Sequence, residues 1–217
     1  MTLLAGPARD HGALMDAIYR RQVRIYDITR KYYLFGRDRL IRELHAPPGA
    51  RVLELGCGTG RNLARIARRW PGMRLHGIDI SREMLASAKA RLGETARLAL
   101  ADASAFDAQA LLGTARFDRI VISFALSMIP PWRETVAHAA GLLAPGGSLH
   151  MVDFNDAAGL PGPLRRLLQR WLARFHVTPR TDLAAVAQAL AAQGGLACAI
   201  HDGPLGYYRL IVLTRPR

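Results

Sequence analysis

The chain has 217 residues, half of them apolar, which suits one domain with a sizeable core and excludes an intrinsically disordered protein. Two cysteines, Cys57 and Cys198, are too few for a disulfide scaffold and are expected as reduced thiols in a cytosolic protein. Thirty basic against 17 acidic residues give a net charge of +13, nearly all from arginine; that balance suits a nucleic acid, an anionic membrane surface, or merely a genome favouring Arg and Ala codons.

In chain order, Met1 to His11 carries Pro7, Arg9 and Asp10 without an apolar centre, so no secretory signal is expected there. No later apolar run approaches the roughly 18 residues that span a bilayer, so any membrane role would be peripheral. Residues 12–45 read as helix, with Leu14, Ile18, Ile25 and Ile28 at near-helical spacing and Tyr32-Tyr33-Leu34-Phe35 stopped by Gly36. A short helix from Asp38 to Leu44 follows, ended by Pro47-Pro48-Gly49. Strands are then expected at Arg51 to Leu55, Arg74 to Ile78, Arg97 to Ala101, Arg119 to Phe124 and Ser148 to Phe154. Between them lie helices at Asn62 to Trp70, Ser81 to Leu92 with Ser81 as N-cap, and Trp132 to Leu143 opened by Pro130-Pro131.

Continuous apolar strands alternating with helices predict an α/β, Rossmann-like domain with a mostly parallel sheet covered on both faces, whose ligands bind beyond the strands' carboxyl ends. After residue 156 the pattern gives helices at Leu160 to Phe175 and Thr181 to Gln193. Strands near Leu196 to His201 and Tyr207 to Thr214 then close a seven-stranded sheet as an antiparallel edge. One domain suffices: a helical lid at 1–47, a core at 50–155 and the C-terminal elements at 156–217.

The most specific segment is Val52-Leu53-Glu54-Leu55-Gly56-Cys57-Gly58-Thr59-Gly60, a strand running into three glycines at alternate positions, where the backbone can turn tightly and approach a ligand. Its Gly-x-Gly-x-Gly spacing, preceded by Glu54, resembles the first motif of class I S-adenosylmethionine-dependent methyltransferases. Further matches follow in order: Gly77-Ile78-Asp79-Ile80, Ala101-Asp102-Ala103, and Leu142 to Leu149 with its Pro145-Gly146-Gly147 turn. The resemblance implies S-adenosylmethionine as cofactor, no metal, Asp79 on the ribose hydroxyls and Asp102 at the adenine amino group. It places Glu54, Gly56, Cys57, Gly58, Gly60, Ile80, Met84, Ala103 and Ser123 around the same molecule.

The stretch Ile25 to Ile41, with Asp153-Phe154, Trp171-Leu172 and Phe175-His176-Val177-Thr178-Pro179-Arg180, is similar to diacylglyceryl-homoserine N-methyltransferases, which make the trimethylated head group of bacterial betaine lipids. That likeness implies a lipid acceptor at a membrane surface, with a homoserine-transferring enzyme preceding this one. A growing trialkylammonium is attracted by aromatic faces, which makes Tyr26, Tyr33, Phe124, Tyr207 and Tyr208 candidates for acceptor binding and Tyr32 a candidate at the reacting nitrogen. Arg37 is a candidate for a carboxylate of either cofactor or head group. The attacking amine must be neutral; Asp153, at the carboxyl end of its strand, is favoured as base over His150, which reads as a core residue.

The 160–175 helix sets Leu164, Leu167, Leu168, Trp171, Leu172 and Phe175 on one stripe and Arg165, Arg166, Arg170 and Arg174 on the other face. Such a helix either lies in an anionic leaflet, on the inner face of the membrane, or covers the active site or sheet. A quinone or other small-molecule methyltransferase is a milder alternative, separated by the Ile25 to Ile41 likeness, and a nucleic-acid (RNA) methyltransferase is the rival reading of the charge. Enzymes of that kind carry a polar residue before Pro-Pro-aromatic right after the fourth strand, whereas Ile129-Pro130-Pro131-Trp132 reads as a helix start, so stable nucleic-acid binding is not expected.

Overall fold

The computed structural model describes residues 36–175 and 177–217. A seven-stranded sheet forms its centre: β1 (Arg51–Leu55), β2 (Arg74–Asp79), β3 (Ala96–Leu100), β4 (Phe117–Ser123), β5 (Leu143–Phe154), β6 (Ala197–Asp202) and β7 (Tyr208–Thr214), in spatial order β3-β2-β1-β4-β5-β7-β6. The first five strands are parallel, and β7 runs antiparallel to both β5 and β6. The seven strands and the antiparallel closure are as expected. Within that closure the reversed strand takes the inner place and β6 forms the rim, because Leu210, Ile211 and Leu213 of β7 are fully buried whereas most of β6 is exposed.

Side chains alternate across a strand, and the two faces collect different partners. Leu53 and Leu55 of β1, Ile120 and Ile122 of β4, and Leu149 and Met151 of β5 share one cluster with the helices on that face. Those helices are α4 (Ala108–Leu112), α5 (Trp132–Gly141) and α7 (Leu183–Gly194). Val52, Val121, Val152 and Leu210 point the other way, into a cluster with α1 (Arg37–Arg42), α2 (Arg61–Arg69) and α6 (Gly162–Ala173). The remaining helix, α3 (Arg82–Leu92), is capped by the Ser81 hydroxyl, which accepts from the Met84 amide at 3.3 Å as expected of that residue.

The sequence reading lacks α4 and sets several element ends a few residues differently, and the main differences have physical reasons. Helix α4 has only five residues, too few to show a 3.6-residue period. Strand β5 begins at Leu143, with the Pro145-Gly146-Gly147 turn carried inside it as a bulge: Phe117 pairs with Leu143, but Arg119 pairs with Ser148. The 12–45 helix is described only from Gly36 on, and α1 there is shorter than the expected Asp38 to Leu44 at its C-terminal end. Trp132 begins α5 as the Pro130-Pro131 reading requires.

Candidate active site

The cleft lies at the carboxyl ends of β1 and β4. The β1 backbone leaves Leu55 and turns through Gly56, Gly58 and Gly60, each at positive φ, into α2. At Gly56 (φ 66°) a Cβ would meet the Ala125 methyl at 2.9 Å, so the loop after β4 can close over this turn only because the position has no side chain. At Gly58 the corresponding space is open, and that side faces the cleft. The cleft measures ≈ 430 Å³ with its open mouth included; Arg37, Glu54, Asn62, Met84 and Ser123 line it together with the glycine turn.

Glu54 is the chemically unusual member. Its side chain shares the face of Val52 but ends against α2, where Asn62 Nδ2 donates to Oε1 at 2.6 Å. Removal from water pushes its carboxyl up to about 8, against the pull of the Asn62 hydrogen bond and the Arg37 charge. Three buried oxygens lining this cleft have no hydrogen-bond partner among the described residues: Glu54 Oε2, Asn62 Oδ1 and Ser123 Oγ. Two of them are acceptors, so the site asks for N–H donors.

Neighbouring residues hold the turn. Asp79, at the end of β2, accepts from the Gly58 amide at 2.7 Å through Oδ2 and from the Ser81 amide at 2.9 Å through Oδ1. Arg91, on the last turn of α3, donates to both the carbonyl and the hydroxyl of Thr59 at 2.7 Å. Asp102 sits just past β3, with Oδ1 accepting from the Ser104 amide and hydroxyl. Ile80 stands half-buried beside Asp79, Gly60 packs against α3, and Ala103 is buried in the core under α4. Glu54, Gly56, Cys57, Gly58, Met84, Ser123 and Arg37 therefore meet in one cleft, while Asp79 and Asp102 stand at the adjoining strand ends. Sequence reasoning missed Thr59, Arg61 and Asn62. The signal for them was their place in the turn and first helical turn, where amides and side chains face a bound group.

Other expectations need correction. Asp153 is completely buried, accepting from the Ser127 amide at 3.0 Å and the Phe154 amide at 2.8 Å, with burial raising its carboxyl to about 6. Instead of facing a reactant it anchors the loop after β4. That loop begins at Phe124, whose φ of 54° folds the chain across the strand end and in front of Asp153. Phe124 is itself buried against Phe154, with ring centroids 4.8 Å apart. Tyr208 is buried too, its ring lying over Gly36, where a Cβ would come within 2.6 Å of it. Tyr207 remains half-buried, edge-on to Phe154. These three line no part of the described cleft. Tyr26, Tyr32 and Tyr33 lie outside the described residues. His150 is a core residue as expected: Nε2 meets Ser148 Oγ at 2.8 Å, and burial lowers the imidazole to about 3. Cys57 and Cys198 are free thiols, and burial pushes both up.

The arrangement agrees with comparisons to known proteins. Residues 53–149 match the family model described as methyltransferase domain. The chain is 33% identical over 168 residues to a phosphatidylethanolamine N-methyltransferase of Cereibacter sphaeroides, covering 76% of this chain and 79% of that protein. It is 35% identical over 179 residues to a trans-aconitate 2-methyltransferase of Streptomyces avermitilis, covering 79% of this chain but 65% of that longer protein. The crystal structure of the plantazolicin methyltransferase BamL, in complex with a triazolic desmethylPZN analog and SAH, shares the fold at a TM-score of 0.71 and 14% identity, covering 97% of this chain and 98% of that one. With strand order, glycine turn and acidic strand ends in place, the chain belongs to the class I S-adenosylmethionine-dependent methyltransferases.

Proposed function

We propose that this enzyme methylates a lipid-borne primary amine in successive steps, with diacylglyceryl-homoserine as its acceptor. What carries the reading is the similarity to the C. sphaeroides protein, named for N-methylation of an amino phospholipid, over 79% of its length. The likeness of Ile25 to Ile41 and of Trp171 to Arg180 to homoserine-lipid enzymes narrows the amine to one beside a carboxylate.

The cleft fits the cofactor by its donor and acceptor chemistry. Glu54 Oε2 and Asn62 Oδ1 are orphaned acceptors suited to an ammonium, and Arg37 beside them is suited to a carboxylate, the two charges of a methionine end. When bound, S-adenosylmethionine supplies a methyl group activated by its sulfonium. Asp79 keeps the Gly58 amide in place while its carboxylate stands at the ribose-binding strand end, and Met84 and Ser123 close the walls. The chain's contribution to transfer is then orientation and exclusion of water around an amine that arrives neutral. With Asp153 held by backbone amides, the described residues supply position more than proton abstraction.

A second reading is favoured by the trans-aconitate relative: Arg37 and Arg61, both on the cleft, also suit a small polycarboxylate. The purified protein should be given S-adenosylmethionine with diacylglyceryl-homoserine, phosphatidylethanolamine, trans-aconitate or RNA. Mass spectrometry should show one, two and three methyl additions on the homoserine lipid. Product from trans-aconitate alone would replace the lipid reading with the second one, and transfer to RNA alone would overturn both.

A further inference from the structure

The stripe of α6 is divided in two by the fold. Its C-terminal half is anchored: Leu172 is buried, and Leu168, Trp171 and Phe175 pack on the cluster under α1 and α2. Its N-terminal half projects, leaving Leu164 54% and Leu167 64% exposed. Around these leucines Arg165, Arg166, Arg170 and Arg174 are all exposed, and the helix contains no acidic residue. An independent element adds a third apolar residue. The turn between β6 and β7 presents Leu205, 56% exposed and at φ 56°.

That turn is fixed to the segment leading into α6. The Gly159 amide donates to the Leu205 carbonyl at 3.0 Å, and the Ala157 amide to Gly206 at 2.9 Å. A Cβ on Gly159 would lie 2.7 Å from Leu205 Cα, so the approach is close. At the base of the hairpin Arg209 grips Asp202 through both carboxylate oxygens, at 2.6 and 2.7 Å. Both apolar projections therefore hang from one rigid junction after β5, the strand whose end borders the β4 loop over the glycine turn.

We propose that the N-terminal half of α6 and the Leu205 turn form one docking surface for an anionic lipid bilayer. Exposed leucines ringed by arginines that have no ion-pair partner among the described residues complement acyl chains and negatively charged head groups together. No helix among the described residues is long and apolar enough to cross a membrane, so the contact is interfacial. The surface deepens the lipid-acceptor reading and rests on it for its purpose, which is to hold the cleft where such an acceptor resides.

Sedimentation with phosphatidylcholine vesicles, with and without phosphatidylglycerol, tests it on the full chain. The protein should bind the mixed vesicles and not phosphatidylcholine alone. Replacing Arg165 and Arg166 with Gln should weaken binding about thirtyfold, and Leu164→Ser with Leu167→Ser at least tenfold. Leu205→Ser should weaken it as well. In all variants, calorimetric affinity for S-adenosylmethionine should be unchanged, which separates lost docking from lost folding. Equal vesicle binding by the parent and the variants would overturn the proposal. So would variant-sensitive binding to an RNA oligomer without vesicle binding, or a dimer in light scattering that Leu167→Ser dissolves. Methylation of diacylglyceryl-homoserine in detergent micelles without vesicle binding would reject the docking surface alone; vesicle binding without methylation of that lipid would reject the acceptor alone.

Discussion

Glu54→Gln should abolish the pH dependence of stability that the buried carboxyl imposes. In the unfolded chain this group titrates near 4.5, and in the fold at about 8. Between those values the folded protein keeps a proton that the unfolded chain has released. Its contribution to stability therefore falls as pH rises from about 4.5 to about 8 and is level on either side. Each pH unit inside that window corresponds to about 1.4 kcal/mol, so from pH 5 to 8 the parent should lose on the order of 4 kcal/mol relative to Glu54→Gln. For a chain of this size that is a relative shift of about 10 °C in melting temperature. The variant keeps the shape and an oxygen to accept from Asn62 Nδ2, so packing should be preserved while titration is removed.

The assay is thermal unfolding of both proteins from pH 5 to 9, with and without S-adenosylmethionine. Without ligand, the melting temperature of the variant should rise above the parent's progressively with pH. Groups common to both proteins cancel in that difference, including His150, whose imidazole burial lowers, and Asp153, whose carboxyl burial raises. With ligand the parent should recover, because an ammonium beside Glu54 favours the ionised form; cofactor binding below pH 8 should release a proton, and affinity should rise toward pH 8. Parallel melting curves at every pH would refute the desolvation argument, and pH-independent cofactor affinity would refute the placement of the ammonium.

Arg91→Ala should weaken cofactor binding about tenfold, as expected for loss of a charge-assisted pair of hydrogen bonds to Thr59. If the guanidinium only positions the turn, KM for S-adenosylmethionine should rise while kcat changes little, and Arg91→Lys should recover part of the loss; unchanged KM would dismiss the role. Asp153→Ala should cost about 2–4 kcal/mol in urea unfolding, because two buried amides lose their acceptor. Hydrogen exchange at Ser127 should speed up more than at β1, and uniform exchange would reject the anchoring role. Leu172→Ala should destabilise by about 2–5 kcal/mol whereas Leu167→Ala should stay within about 0.5 kcal/mol, following their opposite burial on one helix. Equal losses would mean that the outer half of α6 is packed.

The signals legible in the sequence were local ones. Strand β1 was read to the residue because Val52 to Leu55 is bounded by a proline-glycine breaker and a glycine turn, and Ser81 was read as a cap from its place before a helical run. What escaped depended on tertiary context. The inner position of β7 was written in Tyr208 to Thr214 as a nearly continuous apolar run, against the weaker Ala197 to Asp202, but choosing a neighbour for each strand needed the sheet itself. Asp153 at the end of a strand looked like a reactive carboxylate; only the left-handed turn at Phe124, which sets the loop in front of it, shows it to be an anchor.

Glu54 belongs to a different category, because there the sequence contradicted its own fold. Within Val52-Leu53-Glu54-Leu55 every side chain is buried, and an apolar residue would stabilise the ligand-free strand better than a carboxyl forced to hold its proton up to about pH 8. Local conflicts of this kind are expected where a site is being prepared for a group that is not part of the chain. The buried oxygens beside it point the same way: Glu54 Oε2 and Asn62 Oδ1 have no hydrogen-bond partner among the described residues. In the proposed placement, a bound ammonium would satisfy both and remove the reason for the raised carboxyl, so one interaction would relieve the strain in charge and the deficit in hydrogen bonds. Stability given up in the ligand-free fold would then be returned on binding, which would make cofactor affinity and folding stability opposite readouts of the same carboxylate.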